Sequence, residues 1–189
     1  MKSRTIYKMC EALKAGDSDM AASIARSEYP FMTHAFAGRK YTELESTRIF
    51  IRDGFVDRYS GNQLIFPGVL RLLSHLLPEE FPFHPHWKMS QCHIAYWELS
   101  ATIDHVIPVA RGGTDDETNW VTASMLRNST KSNWTLEELG WSLLLPGNYG
   151  DWNGLTEWFL EYVNENPSHL KEKHIKRWYN AAVRAVNAV

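Results

Sequence analysis

Cysteine is scarce in this chain. Only Cys10 and Cys92 occur in 189 residues, too few for a disulfide framework or a four-cysteine zinc site. Long apolar runs are also missing, and nothing approaches the roughly 20 residues that span a bilayer. The opening stretch, MKSRTIYKMCEALK, lacks the uninterrupted apolar core of a signal peptide, so the expectation is a cytoplasmic protein. Nor is there an excess of basic charge. Lys and Arg number 20 against 22 Asp and Glu, a formal net charge of −2. Affinity for DNA normally draws on phosphate neutralisation by Lys and Arg, so tight non-specific binding is not indicated. Internal repeats and low-complexity tracts are absent.

What is present is an aromatic-rich globular composition. Hydrophobic residues make up 44% and charged residues 22%, with eight each of Trp, Tyr and Phe. A chain of this length builds one sizeable core, or one core with helical additions. Charge is unevenly spread. Arg48, Arg52, Arg58 and Arg71 stand before the midpoint, Lys171, Lys173, Lys176 and Arg177 cluster near the end, and much of the acid sits in Asp17, Asp19, Glu79, Glu80, the run Asp115 to Glu117, Glu137 and Glu138. A basic face is compatible with that spacing.

Ile6, Met9, Cys10 and Leu13 follow helical spacing, Gly16 stops the run, and Asp17 caps a second helix carrying Met20 and Ile24. A further helix is expected over 42–50. Phe55 to Phe66, with a turn at Ser60-Gly61-Asn62, suits a hairpin, and Val69 to Leu77 suits a short helix ended by Pro78. The Pro- and aromatic-rich stretch from Phe81 to Trp87 reads as an ordered loop, and Ala95 to Val106 as an extended run. Thr135 followed by Glu138 is a capping-box pattern, and two helices complete the chain over 155–164 and 168–188.

The segment TIDHVIPVARGGTDDETNWVTASMLRNSTKSNW, from Thr102 to Trp134, is the most informative. An apolar strand ends on Asp104-His105. Pro108 and Gly112-Gly113 interrupt the chain, Asn119 opens a second β-rich run, and Asn128 and Lys131 lie one helical turn apart. Each residue taken singly has an ordinary reading. His105 is a core or surface histidine, Asn119 a cap, Gly112-Gly113 a turn, and Asn128 with Lys131 a solvated helix face. The ordered combination is what departs from chance.

That combination resembles the HNH family of metal-dependent nucleases, and the resemblance runs from Asp57 to Leu139. It implies an α+β fold, a ββα-metal core with mainly helical N- and C-terminal additions. The expected divisions are an N-terminal helical segment over 1–45, the nuclease core over 46–140 and a C-terminal helical segment over 141–189. The implied activity is hydrolysis of DNA phosphodiester bonds by a single-metal mechanism. Imidazole titrates near neutral pH, which makes His105 the expected general base. Asn119 would hold the loop and orient His105. Asp104 and Asn128 would bind one divalent cation, Mg²⁺ or Mn²⁺ given an all-oxygen set, while Lys131, Arg111 and Arg127 would contact nucleic acid. Asp104 and His105 point to opposite sides of an extended strand, so a bend is expected at its end.

Many HNH proteins carry two cysteine pairs around a structural zinc. Here Asp57 and Ser60 stand at the first pair and Ser124 and Arg127 at the second, so no structural zinc is expected. The partner implied is DNA, with RNA left open, no membrane, and room for a homodimer or a targeting protein. The alternative reading is a catalytically weak or inactive HNH-fold module for nucleic-acid binding or interaction. His84, His86 and His93 allow a separate metal site only by a permissive spacing.

Overall fold

The computed structural model describes residues 2–31 and 41–188. Two compact units are distinguished, Met1–Phe36 and Ala37–Val189. In the first, α1 (Lys2–Lys14) and α2 (Ser18–Glu28) form a helical pair. Asp17 accepts a hydrogen bond from the Met20 amide and caps α2, as its position before the helix leads one to expect. Lys8 pairs with Glu28 at 2.7 Å, and the ammonium lowers that carboxyl's pKa.

The second unit is α+β. Helices α3 (Glu43–Arg52) and α4 (Pro67–Leu76) lead to a short α5 (Ala95–Glu98) and then to the two-stranded antiparallel sheet of β1 (Ala101–His105) and β2 (Trp120–Ser124). Helix α6 (Met125–Lys131) follows directly. α7 (Leu136–Leu139), α8 (Thr156–Glu165) and α9 (Lys173–Val186) complete it. The expected ββα core with helical flanks is therefore present. Capping boxes start α3 at Thr42 and α7 at Thr135. Both strands are covered on both sides. Ala101, Ile103 and Trp120 enter the main core with Ile49, Phe50, Phe66, Phe159 and Ala182, while Val121 and Ala123 pack with Tyr59 on the other face. No helix among the described residues is long and apolar enough to cross a membrane.

Three expectations are corrected. Ala95 to Val106 is not extended throughout: Ala95–Glu98 closes one helical turn, and Tyr96, bonded to the Leu70 carbonyl and to Ser74, anchors that turn on α4. The hairpin over Phe55–Phe66 keeps a single bridge, Val56 with Gln63, flanked by the Asp57 amide on the Asn62 carbonyl and the Leu64 amide on the Phe55 carbonyl, and extends no further because the Arg58 amide bonds the Thr122 carbonyl of β2. The last helix is broken at Glu172, where a 3₁₀ segment over Pro167–Lys171 gives way to α9.

The Asp57 side chain fixes the turn itself. Its carboxylate, almost wholly buried, accepts from the amides of Tyr59 and Ser60 through Oδ1 and from the Ser124 amide through Oδ2 at 2.9 Å. Ser124 Oγ in turn accepts from the Arg127 amide. Asp57, Ser60, Ser124 and Arg127, the four positions expected from the sequence to stand in place of zinc cysteines, are thus joined by hydrogen bonds, which tie the 57–62 turn to the junction of β2 and α6. Removing three bonds to a buried carboxylate strands three donors, each costing about 1–3 kcal/mol. Asp57→Ala is expected to lower the melting temperature by roughly 10 °C or more at this size. A melting curve superimposable on the wild type's would show that the knot does not hold the core.

Arg52-Asp53-Gly54-Phe55 anchors the same strand two residues earlier. Asp53, fully buried, binds the Arg52 and Arg58 guanidinium groups and accepts from the Thr122 amide at 2.8 Å. Arg52 also donates to the Trp120 and Glu117 carbonyls. Gly54 has φ +61°, and a Cβ there would lie 2.4 Å from the Gly147 carbonyl carbon, so only glycine fits. This cluster sets β2 against α3.

Candidate active site

The hairpin pairs Ala101 with Ser124, Ile103 with Thr122 and His105 with Trp120. Its connection is closed by Asn119. The side-chain oxygen accepts from the Ile107 amide at 2.9 Å, and the amide nitrogen donates to the Ile107 and Thr114 carbonyls at 2.8 Å each. Gly113 makes this possible, since a Cβ there would sit 1.9 Å from the Ile107 oxygen. Asn119 therefore holds the loop. The bonds it makes go to Ile107 and Thr114, not to the His105 ring.

β1 stays paired as far as His105, so the expected bend is absent. Alternation along the strand then sends Asp104 and His105 to opposite faces, and their partners confirm it. On the α6 side, Asp104 is buried, with Oδ2 accepting from the Tyr59 hydroxyl at 2.6 Å and lying 3.0 Å from the Lys131 ammonium. Burial, and next the Asp104 charge, raise the Tyr59 pKa, so the hydroxyl stays a donor. Asn128 lies on the same side, its amide nitrogen donating to the Ile103 carbonyl at 2.8 Å and to Thr102 Oγ1 at 3.2 Å. The structure thus pairs Asp104 with Lys131 and fixes Asn128 to the backbone of β1 next to Asp104.

Lys131 requires a correction. It is expected at a phosphate, but its side chain is fully buried and its ammonium is spent on Asp104 and on the His105 carbonyl at 2.6 Å. Serving as an internal counter-ion, it does not reach the surface. Arg111 is exposed and faces Glu138 at 3.4 Å, while Arg127 lies over the Trp141 ring at 4.9 Å.

On the other face, His105 is also buried. Its Nε2 lies 2.7 Å from Asp115 Oδ1, and the Trp120 indole nitrogen is 3.0 Å from that Nε2 and 3.1 Å from the same carboxylate oxygen. A carboxylate only accepts, so a contact of 2.7 Å needs the proton on Nε2. The indole N–H then serves Asp115, and His105 Nδ1 is left as the basic nitrogen. Nδ1 is buried and has no hydrogen-bond partner. Asp115 and Trp120 are functional candidates that the sequence did not mark as such; Asp115 stood only in an acidic run, and the pairing became visible once the loop was closed. Beside them lies a cavity of about 370 Å³, lined by Asp115, Asp116, Glu117, Glu45, Arg48 and Trp120.

His84, His86 and His93 do not converge. His93 stacks on Phe81 at 4.2 Å and accepts from the Ala95 amide, while His84 and His86 lie side by side. Among the described residues no group of three or more His, Cys, Asp or Glu side chains is arranged to hold a metal ion.

The family model for HNH endonuclease matches residues 90–134, a span that contains Asp104, His105, Asn119, Asn128 and Lys131. No curated protein and no solved structure matches the chain.

Proposed function

We propose that this chain is an HNH-type endonuclease that hydrolyses DNA phosphodiester bonds, with His105 as general base. The observation that carries the reading is the His105–Asp115 contact within the matched span. It fixes the ring through Nε2 and leaves Nδ1 free to take a proton from water, the arrangement general-base catalysis requires. Nδ1 is sealed in this conformation, so the nucleophilic water must be admitted together with substrate. Asn119 keeps the loop that carries Asp115 closed, and Trp120 holds the carboxylate toward the ring.

The α6 side supplies the residues for a cation. The bonds of Asp104 to Tyr59 and Lys131 run through Oδ2 and those of Asn128 run through its amide nitrogen, and the Oδ1 atom of each is a hard oxygen. They fit Mg²⁺ or Mn²⁺ better than a thiophilic metal. When bound, such an ion supplies charge stabilisation at phosphorus and at the departing oxygen. Lys131 already offsets the one carboxylate of the pair, so the hold is weak and water-rich, and it strengthens with substrate phosphate. A supercoiled plasmid incubated with Mg²⁺, Mn²⁺ or excess chelator tests the reading. Nicked circles are expected with either ion and not with chelator. Supercoiled substrate left intact under every cation would sink it.

A second reading has observations of its own. Asp104 and His105 leave opposite faces of β1, and the cavity beside His105 is lined by four carboxylates and one guanidinium, which repels a polyanion. Both favour an HNH-fold module that binds or interacts without useful catalysis. Retained binding of a labelled DNA duplex together with no nicking would select it.

A further inference from the structure

A second cavity lies between α4, the 81–87 loop, α5 and α9, built mostly from residues outside the matched span. Its volume is about 560 Å³, within the size range of small-molecule sites. Phe83, Trp87, Tyr96 and Trp178 form aromatic walls, and Arg71 and His174 bring positive or protonatable groups. Arg71 is the unusual member. Its Nε and Nη1 are buried with no hydrogen-bond partner, while one face of the guanidinium lies on the Phe83 ring at 3.7 Å. The guanidinium also hydrogen-bonds the Tyr96 side chain, yet two of its three nitrogens remain without a partner, and a guanidinium suits the oxygens of a phosphate or carboxylate. Arg177, also at the rim, is already paired with Glu43, which leaves Arg71 as the cation with donors to spare in this lining.

The walls add a second requirement. Trp87 is held at φ +51°, a backbone region that bulky side chains rarely adopt. Its ring stands perpendicular to Tyr96 at 5.6 Å and to Trp97 at 6.2 Å. Tyr96 is itself fixed by bonds to Ser74 and the Leu70 carbonyl. The loop is therefore locked in a strained form that sets an indole at the cavity wall. Flat aromatic surfaces beside a guanidinium with unpartnered donors select a ligand with a flat ring and an anionic group on one end.

We propose that this cavity binds a nucleoside 5′-phosphate unit, with the phosphate on Arg71 and the base against the indole wall formed by Trp87 and Trp178. The proposal does not depend on cleavage at His105 and stands or falls separately from it. The unit can arrive as a free mononucleotide or as a nucleotide turned out of a strand, and the chemistry of recognition is the same. Base stacking on aromatic side chains tolerates every base, so weak preference among the four is expected.

Titration of the full chain by calorimetry and tryptophan fluorescence tests this. The probes are the four nucleoside 5′-monophosphates, the matching nucleosides, inorganic phosphate, and short duplexes with or without one unpaired nucleotide. Saturable monophosphate binding is expected, with nucleosides and inorganic phosphate each roughly tenfold weaker or worse. Arg71→Met keeps the apolar stem against Phe83. It should weaken monophosphate binding roughly tenfold and leave nucleoside binding unchanged. Trp87→Ala should weaken both, and melting curves establish that each variant is folded. Competition by the duplex with an unpaired nucleotide assigns the site to a strand, and competition by monophosphates alone assigns it to the free compound. No saturable binding up to about 10 mM, or binding that neither substitution changes, would overturn the proposal.

Discussion

His105→Ala is expected to lose most plasmid nicking, since general-base catalysis contributes typically ~10² to 10⁴ in rate. The substitution removes the basic Nδ1 and leaves Asp115 with the Trp120 indole, 3.1 Å away, as a remaining donor. The loop should survive, because Asn119 closes it through Ile107 and Thr114 without help from the ring. A companion variant separates chemistry from architecture. Asp115→Asn keeps the size of the side chain but no longer demands the proton on Nε2. The ring is then free to take the tautomer with the proton on Nδ1, which cannot act as a base. Asp115→Asn should therefore lower the cleavage rate constant substantially while leaving DNA affinity and melting temperature near the wild-type values. If both variants nick at the wild-type rate, His105 is a buried core residue and the base lies elsewhere.

Much of the local structure was legible in the sequence because its causes are local. Asp17 and Thr135 sit before apolar-periodic runs and cap them, and Gly112-Gly113 turns the chain where the backbone must pass close to Ile107. The two strands and α6 follow from two β-rich runs, a Gly-Gly turn and a helical stretch within about thirty residues. Long-range pairings were not legible. Arg52-Asp53-Gly54-Phe55 had no visible chemistry until β2 was placed on Asp53. Asp115 is ten residues from His105, and only the folded loop brings them to 2.7 Å. The Lys131 placement inverts the sequence expectation for the same reason. A lysine three residues after Asn128 looks like a surface group on a helix, but that face of α6 is the one covering β1. What the helix faces, not the spacing along it, decides that Lys131 is buried. The hydrogen-bonded knot centred on Asp57 likewise required the fold, since its partners Ser60 and Ser124 lie in separate stretches of the chain.

Lys131→Met is expected to be strongly destabilising and to make stability depend on divalent cations. Lys131 and Asp104 are both buried and 3.0 Å apart, with Tyr59 donating to the same carboxylate oxygen. Removing one partner of a buried ion pair costs about 3–5 kcal/mol, because the other charge is left uncompensated. At this chain length that corresponds to a melting temperature lower by roughly 6–20 °C. Methionine preserves most of the apolar stem, so the loss reports the charge and the hydrogen bond to the His105 carbonyl. Two further measurements assign it. Adding Asp104→Asn to Lys131→Met removes the stranded charge, and the double variant should melt above Lys131→Met alone. Mg²⁺ or Mn²⁺ should also raise the melting temperature of Lys131→Met more than that of the wild type, because a carboxylate freed of its ammonium binds the cation more tightly and ligand binding to the folded state adds stability. The difference should vanish in the double variant. A Lys131→Met protein that melts with the wild type would show that the ammonium does not compensate Asp104. One that is destabilised but indifferent to both cations would place the divalent site away from Asp104 and Asn128.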